Sequence, residues 1–235
     1  DFWDKIAIGS YPVNVQPTSM DNWGYIIGNP AAYGIPFRSL VPQEIENLMI
    51  VGKAASFDSL AHGSARVVPI GMCTGQAAGA AAKILLEDGL TVQALAKSEE
   101  KIKTLQDTLR KQGAYLPALN YPYKLKGHPA EEAVKFLRSY GLVHGGYDND
   151  YELNKIMEEG AFVVAVDKLY LRLAGRGNEE KGRQEWGSKE PLTGAKGVEI
   201  IEEVFGKTLD LQELGLKEKD VLTQAQAYQM IFKLK

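Results

Sequence analysis

Apolar and polar residues alternate at the start of the chain, and this pattern predicts short strands. In KIAIGSYPVNVQP (residues 5–17), the alternating apolar positions are Ile6, Ile8, Val13 and Val15. A period of two residues is typical of half-buried strands, here interrupted by a glycine and a proline. The run NLMIVG (residues 47–52) is almost entirely apolar, which predicts a compact strand buried on both faces.

Helical spacing replaces this alternation in the middle of the chain. An alanine-rich run reaches about Asp88 and stops at Gly89, a residue suited to a helix C-terminus. Thr91 is placed to cap the next helix, and a further helix is predicted to end at Gly113. The apolar residues that share one face of that further helix are Ile102, Leu105 and Leu109.

After residue 115 the pattern predicts only helices. Pro129 is placed in a first helical turn, Gly141 ends that helix, and Thr223 is a candidate N-cap. The predicted apolar faces are Ala133, Val134 and Leu137; then Phe162, Val166, Leu169, Tyr170 and Leu173; then Ala227, Met230, Ile231 and Leu234. Residues 174–197 are polar and glycine-rich, which predicts a long loop.

These patterns predict an α/β fold with some antiparallel strands, followed by a mostly α-helical domain. The boundary is placed between residues 115 and 116. The segments EEGAFVVAVDKLYLRL and LTQAQAYQMIFKLK resemble each other, since both carry an apolar stripe that ends in basic residues. Two interpretations stay open at this point: an internal repeat, or two amphipathic helices of similar design.

Composition narrows the classes of function. The formal net charge of −3 gives no electrostatic reason to expect nucleic acid or an anionic membrane surface as a partner. No apolar run reaches the roughly 18 residues of a membrane span. Cys73 is the only cysteine, so an intrachain disulfide is excluded. The chain starts with Asp1 and enters a strand pattern at once, so we expect it to be a piece of a longer protein.

Small residues are concentrated in AHGSARVVPIGMCTGQAAGAAAKILL (residues 61–86). Gly71, Gly75 and Gly79 are spaced four apart, so on a helix they share one flat face, with Ala78 and Ala82 beside it. Such a face permits close approach either of another protein element or of a ligand. An apolar strand, a loop and a helix N-terminus in this order would also present backbone N–H groups to an electron-rich ligand.

Three blocks of the sequence resemble a family of bacterial FAD-dependent oxidoreductases. They are YGIPFRSLVP (33–42), NLMIVGK (47–53) and AHGSARVVPIGMCTGQAAG (61–79). The resemblance implies that residues 1–115 form the carboxy-terminal part of an FAD-binding domain. It also implies a set of cofactor-proximal residues: Gly52, Lys53, His62, Gly63, Ser64, Arg66, Gly71, Thr74, Gly75 and Gln76. Arg38 and Ser39 are weaker candidates.

The resemblance further implies electron or hydride transfer through flavin, with a small-molecule substrate. A helix starting between Ile70 and Thr74 would direct its N-terminus at the flavin ring. The chain carries no G-x-G-x-x-G turn for the dinucleotide. We therefore expect these residues alone to bind FAD weakly or not at all and to be inactive. The catalytic residues are unknown. His62 and Arg66 are weak candidates, and purely structural roles for both stay open.

Other residues with reactive side chains are assigned structural roles. Cys73 is interpreted as a small buried filler of a helix. His128 and His144 have no partner at a metal-ligand spacing. The segment YDNDYE (residues 147–152) lacks the glycine and distal glutamate of a calcium loop. We interpret it as a solvated turn and predict no metal site.

Residues 128–173 resemble the S-layer homology module. The matching positions are Ala130, Ala133, Val134, Leu137, Gly141 and Leu142, followed by Phe162 to Leu173; the module's usual Thr-Arg pair is replaced by EEG. Residues 198–235 resemble a degenerate second copy. The resemblance implies an alternative function, a non-catalytic anchoring module for a cell-wall or protein partner. It also leaves the location open between a bacterial cytoplasm and the cell envelope.

Overall fold

A computed structural model describes residues 1–16, 24–175 and 187–235. The described chain divides into two compact units. We call residues 1–16 and 24–122 the amino-terminal unit, and residues 123–175 and 187–235 the carboxy-terminal unit. The boundary predicted at 115/116 stays a prediction about sequence modules; the compact units divide between Pro122 and Tyr123.

Four short strands of the amino-terminal unit form two antiparallel pairs. Strand β1 (Lys5–Gly9) pairs with β4 (Tyr33–Pro36), and β2 (Val13–Val15) pairs with β3 (Tyr25–Gly28). Both pairs contain a register shift, so neither ladder is regular. The strands predicted from alternation at the start of the chain are confirmed.

Four helices complete the amino-terminal unit: α1 (Ser59–Ala65), α2 (Val68–Asp88), α3 (Val92–Lys97) and α4 (Glu99–Lys111). Gly89 ends α2 with a left-handed backbone, and the Thr91 side chain caps α3, as predicted. The predicted face of α4 is confirmed, because Ile102, Leu105 and Leu109 are completely buried. With alanines of α2, they form the main apolar core.

The predicted strand at residues 47–52 is wrong. Leu48 and Val51 are exposed, and none of the described strands pairs with this run. The Ile50 N–H of this run donates to the Leu40 carbonyl, at 2.9 Å. The run ends in a single 3₁₀ turn, Gly52–Ala54. An apolar run forms a strand only where a neighbouring strand completes its backbone hydrogen bonds. The residues of the run do not show whether such a neighbour exists.

The carboxy-terminal unit is built from helices α5 (Glu131–Ser139), α6 (Glu159–Leu173), α7 (Gly194–Phe205) and α8 (Gln224–Phe232). Most of the predicted apolar faces are buried. Tyr170 and Leu173 are the exceptions, at 40% and 47% exposed, because they lie on the last turns of α6 beyond the core. Pro129 precedes α5 rather than lying in its first turn.

The long loop predicted for residues 174–197 is too long at its carboxyl end. Helix α7 already begins at Gly194, because the Thr193 side chain caps it. Residues 176–186 lie outside the described residues. Thr223 caps α8 through a complete capping box with Gln226, which confirms the predicted N-cap.

A closed ring of backbone hydrogen bonds joins three extended segments, each of which leads directly into a helix. The Met157 N–H donates to the Leu222 carbonyl, the Leu222 N–H to the Leu192 carbonyl, and the Leu192 N–H to the Met157 carbonyl, at 2.8–2.9 Å. All three side chains are buried. Isolated β-bridges join the same three segments through the residues beside these three: Ile156 pairs with Thr223, Glu158 with Pro191, and Thr193 with Val221. The described part of the unit therefore contains three equivalent copies of a segment followed by a helix, which favours the internal repeat among the two interpretations left open by the sequence.

The three copies fill their shared core with side chains of different size. Four residues after the N-cap, the equivalent positions hold Phe162, Gly197 and Ala227, and all three are buried. A Cβ atom on Gly197 would lie 3.8 Å from the Phe162 ring and 2.8 Å from the Met230 methyl. One aromatic ring thus occupies the space that two small residues leave open.

Alkaline pH is expected to destabilise the carboxy-terminal unit through Tyr228. Burial raises the pKa of this phenol to about 12, with a further contribution from the nearby Glu152 carboxylate. Because the unfolded tyrosine ionises near its ordinary pKa of 10.0, the stabilisation is complete below pH 10 and is lost as pH rises from 10 to about 12. Urea unfolding at stepped pH should show this loss. Tyr228→Phe should flatten that pH dependence, and an unchanged profile would contradict the assignment.

Candidate functional site

The small-residue segment folds into two consecutive helices instead of a loop and one helix. Asp58 caps α1 by accepting hydrogen bonds from the Leu60 and Ala61 N–H groups, both at 2.9 Å. His62 therefore lies within a regular helix. Helix α2 starts at Val68, earlier than predicted. Among the described residues, no side chain caps its N-terminus.

Gly52 and Gly71 bring the turn of Gly52–Ala54 against the start of α2. A Cβ atom on Gly71 would lie 3.3 Å from the Gly52 Cα, and Gly52 has a φ of +64°. Thr74 closes the contact, because its hydroxyl accepts from the Gly52 N–H at 3.1 Å and donates to the Gly71 carbonyl at 2.8 Å. The glycines at these two positions therefore serve close backbone packing. The Thr74 hydroxyl is committed to holding that packing.

The side chains of α1 are bound to neighbouring backbone. The His62 Nε2 is 2.8 Å from the Lys53 carbonyl oxygen, which links α1 to the Gly52 turn. The Arg66 guanidinium donates to the Asn14 carbonyl on β2, at 3.3 Å. A Cβ atom on Gly63 would lie 3.0 Å from that same carbonyl oxygen. These contacts place five of the predicted residues in one cluster around the start of α2: Gly52, Lys53, His62, Gly71 and Thr74.

Ser64 is buried in a hydrogen-bond relay between strands and helix. Its hydroxyl donates to the Tyr11 carbonyl and contacts the Tyr33 hydroxyl. Burial raises the pKa of Tyr33, and the hydrogen bond with Ser64 partly opposes this rise. Sequence reasoning did not assign roles to Tyr33 or Asn14. Tyr33 opens one of the quoted sequence blocks, whereas nothing in the sequence around Asn14 points to its carbonyl.

Beyond its first turn, the small-residue face of α2 is open. Among the described residues, no atom beyond the adjacent backbone of α2 lies within 4 Å of a Cβ placed on Gly75 or Gly79. Met72 is 71% exposed, and Cys73 is also exposed, so its interpretation as a buried filler is wrong. Gln76 contacts the Gln112 side chain at 3.2 Å.

Arg38 and Ser39 lie in the 3₁₀ turn Phe37–Leu40. The Arg38 guanidinium pairs with the fully buried Asp4 carboxylate. The Ser39 hydroxyl donates to the Pro36 carbonyl at 2.8 Å. Both residues line a shallow cleft of about 650 Å³. Arg38 thus links its turn to the residue before β1, and Ser39 bonds to the end of β4 just before the turn.

Within the described ranges, no group of three or more His, Cys, Asp or Glu residues is arranged to hold a metal ion. The turn at residues 147–152 has positive φ angles at Asn149 and Glu152. The Asp150 carboxylate accepts from the Glu152 backbone N–H at 2.9 Å, as in a turn stabilised by its own side chains.

The part of the chain that contains this cluster matches a known protein family. Residues 1–109 match the FAD-dependent oxidoreductase family model. The match covers every predicted cofactor-proximal residue and relates this part of the chain to flavoprotein oxidoreductases. No curated protein and no solved structure matches the chain. The S-layer resemblance and the bacterial origin stay predictions. None of the described helices combines the length and the apolar character that crossing a membrane requires.

The residues around the start of α2 suit a flavin. The helix end is free of a side-chain cap, and the glycine face behind it would let a planar ring approach the backbone. The polar side chains of Thr74 and Ser64, in contrast, already bond to protein atoms. In a flavin site, Thr74 and Ser64 would therefore act by positioning the backbone groups to which they bond.

Proposed function

We propose that the amino-terminal unit forms the flavin-ring side of an FAD-dependent oxidoreductase that transfers electrons or hydride to or from a small-molecule substrate. The observation that supports this most directly is the open glycine face of α2, within the segment that matches the oxidoreductase family. Helix α2 packs within the unit through a separate face that includes Ala77, Ala80 and Ala81, so the glycine face is left available for a ligand. Here Gly75 and Gly79 are accessible.

The chain's own groups would act mainly through charge and shape. When bound, FAD would supply the redox chemistry. The N-terminal dipole of α2 favours negative charge near Val68 and Ile70, and the neighbouring Arg66 adds a positive charge. The Gly52–Gly71 contact fixes the turn at that helix end. His62 holds the Lys53 carbonyl, so its role in this proposal is to position the turn.

Met72→Cys in a Cys73→Ser background provides a direct test, because it places the single thiol of the chain three residues before Gly75 on the same side of α2, where Met72 is 71% exposed. In the dark, millimolar FMN should slow alkylation of this thiol by iodoacetamide at least about threefold, since a covered thiol is less accessible. ADP-ribose, which lacks the flavin ring, should have no effect. The rate is measured by intact-mass spectrometry of the full chain.

Two valine variants make the test specific. Gly75→Val fills the open face and should abolish protection by FMN, while Ala94→Val on the exposed side of α3 should leave it intact. Both variants should keep the circular dichroism of the parent chain, because no described atom lies near the Gly75 Cβ position. Absence of protection by FMN, or equal protection in Gly75→Val, would refute the proposal.

A further inference from the structure

The carboxy-terminal unit contains a groove along the outer side of α7. The groove encloses about 1320 Å³, between α7 and residues 208–219 of the same unit. Ala195 and Val198 line it on the helix side, and Leu209, Leu211 and Leu216 line it on the other. Its floor is therefore apolar. The size is adequate for several side chains of a bound segment.

The three equivalent copies show what occupies the corresponding groove elsewhere in the unit. Helix α5 lies on α8, with the Phe136 and Phe232 rings 5.5 Å apart. The Gln229 side chain donates to the Pro129 carbonyl at 3.1 Å, just before α5 begins. The buried face of α5 consists of Ala133, Val134 and Leu137. An amphipathic helix thus fills the outer side of α8.

On α7, the same positions carry carboxylates. Counting from the N-caps Thr193 and Thr223, Glu199 is equivalent to Gln229, and Glu202 is equivalent to Phe232. The element that corresponds to α5 in this copy is the single 3₁₀ turn Leu211–Leu214, which has four residues where α5 has nine. The shorter element leaves the outer side of α7 open.

Charge distinguishes this groove from a neutral packing site. Five carboxylates and two lysines line it. Glu199 and Glu202 lie on exposed positions of α7, with Glu199 bound to Lys196 at 2.9 Å and Glu202 to the Thr208 hydroxyl at 3.1 Å. An acidic rim over an apolar floor complements a segment that presents both apolar and basic side chains.

We propose that this groove binds a basic amphipathic helix of a protein partner, in the way that α5 lies on α8. The apolar side chains of the partner helix contact Val198 and Leu209. Its lysines or arginines face Glu199 and Glu202. The acidic rim repels an anionic chain, so the groove selects for positive charge.

The test uses the full chain and a fluorescein-labelled synthetic peptide with leucine at positions i, i+3, i+4 and i+7 and lysine at the intervening positions. Fluorescence anisotropy should show saturable binding that weakens with added salt. The same peptide with glutamate in place of lysine should not bind. Glu199→Gln/Glu202→Gln should weaken binding about tenfold, because two charge pairs are lost.

A matched control carries the same change of charge outside the groove. Glu99→Gln/Glu100→Gln alters two exposed carboxylates at the start of α4, in the amino-terminal unit, and should change the affinity less than about twofold. Equal weakening by both double variants, or no binding of the basic peptide, would overturn the proposal. In a different outcome, the parent chain would bind chitohexaose and not the peptide, and only Glu199→Gln/Glu202→Gln would abolish that binding. Such a result would assign the groove to a glycan and would also overturn the proposal.

Discussion

Replacing Phe162 with alanine is expected to lower the free energy of unfolding of the carboxy-terminal unit by about 3–5 kcal/mol. The ring is completely buried and lies beside Gly197. The equivalent residues of the other two copies are glycine and alanine, so neither side chain can extend into the space that the ring leaves. The resulting cavity stays open, and its lining loses contacts that it cannot replace.

Urea unfolding followed by circular dichroism measures this loss, and hydrogen exchange with mass spectrometry locates it within the chain. Leu86→Ala is the control, because Leu86 is 85% exposed and its truncation should cost less than about 0.5 kcal/mol. The double variant Phe162→Ala/Ala227→Phe returns a ring to an equivalent position. It should recover part of the lost stability, and failure to recover any would argue against the equivalence of the copies.

Gly194→Ala is expected to destabilise the same unit by at least about 2 kcal/mol. The new Cβ would lie 2.4 Å from the Lys217 carbonyl oxygen and 3.2 Å from the Leu211 side chain. The Gly194 N–H also donates to the Asp220 carbonyl at 3.0 Å, so the backbone cannot move away without losing this bond. A backbone carbonyl yields far less readily than the end of a flexible side chain.

The same substitution at Gly79 is expected to act in the opposite direction. Gly79 lies in the middle of α2 with no described atom near its Cβ position, so Gly79→Ala should stabilise the amino-terminal unit by about 0.5–1 kcal/mol. Urea midpoints of the two variants against the parent chain provide the comparison. Destabilisation by Gly79→Ala would mean that the α2 face is covered in solution, and a neutral Gly194→Ala would contradict the close contact with Lys217.

Local signals in the sequence predicted the elements that depend on local chemistry. The caps at Thr91 and Thr223 and the stop at Gly89 are recognisable because one side chain or one left-handed glycine decides each of them. The buried face of α4 was equally clear, since Ile102, Leu105 and Leu109 follow helical spacing.

Features that depend on distant partners were predicted poorly. The run at residues 47–52 lacks a described strand neighbour, and Cys73 faces outward although the residues around it are small. The copy that leads into α7 was missed because its cap Thr193 and its buried Gly197 lie within the segment predicted to be a polar, glycine-rich loop. Among the predicted site residues, the family resemblance indicated the cluster around α2, while the hydrogen bonds that occupy Ser64 and Thr74 became visible only in three dimensions.

The closed ring through Met157, Leu192 and Leu222 has a consequence for how the carboxy-terminal unit can change in evolution. In an open solenoid, each repeat touches only its neighbours, so arrays lengthen or shorten by whole repeats. Here the last copy bonds back to the first, and each copy donates and accepts one backbone bond within the ring. A fourth copy would have no place to insert, and deletion of one would leave a donor and an acceptor unpaired in a buried setting. The number three is therefore a property of the closure, and we expect the three copies to order together as one cooperative step.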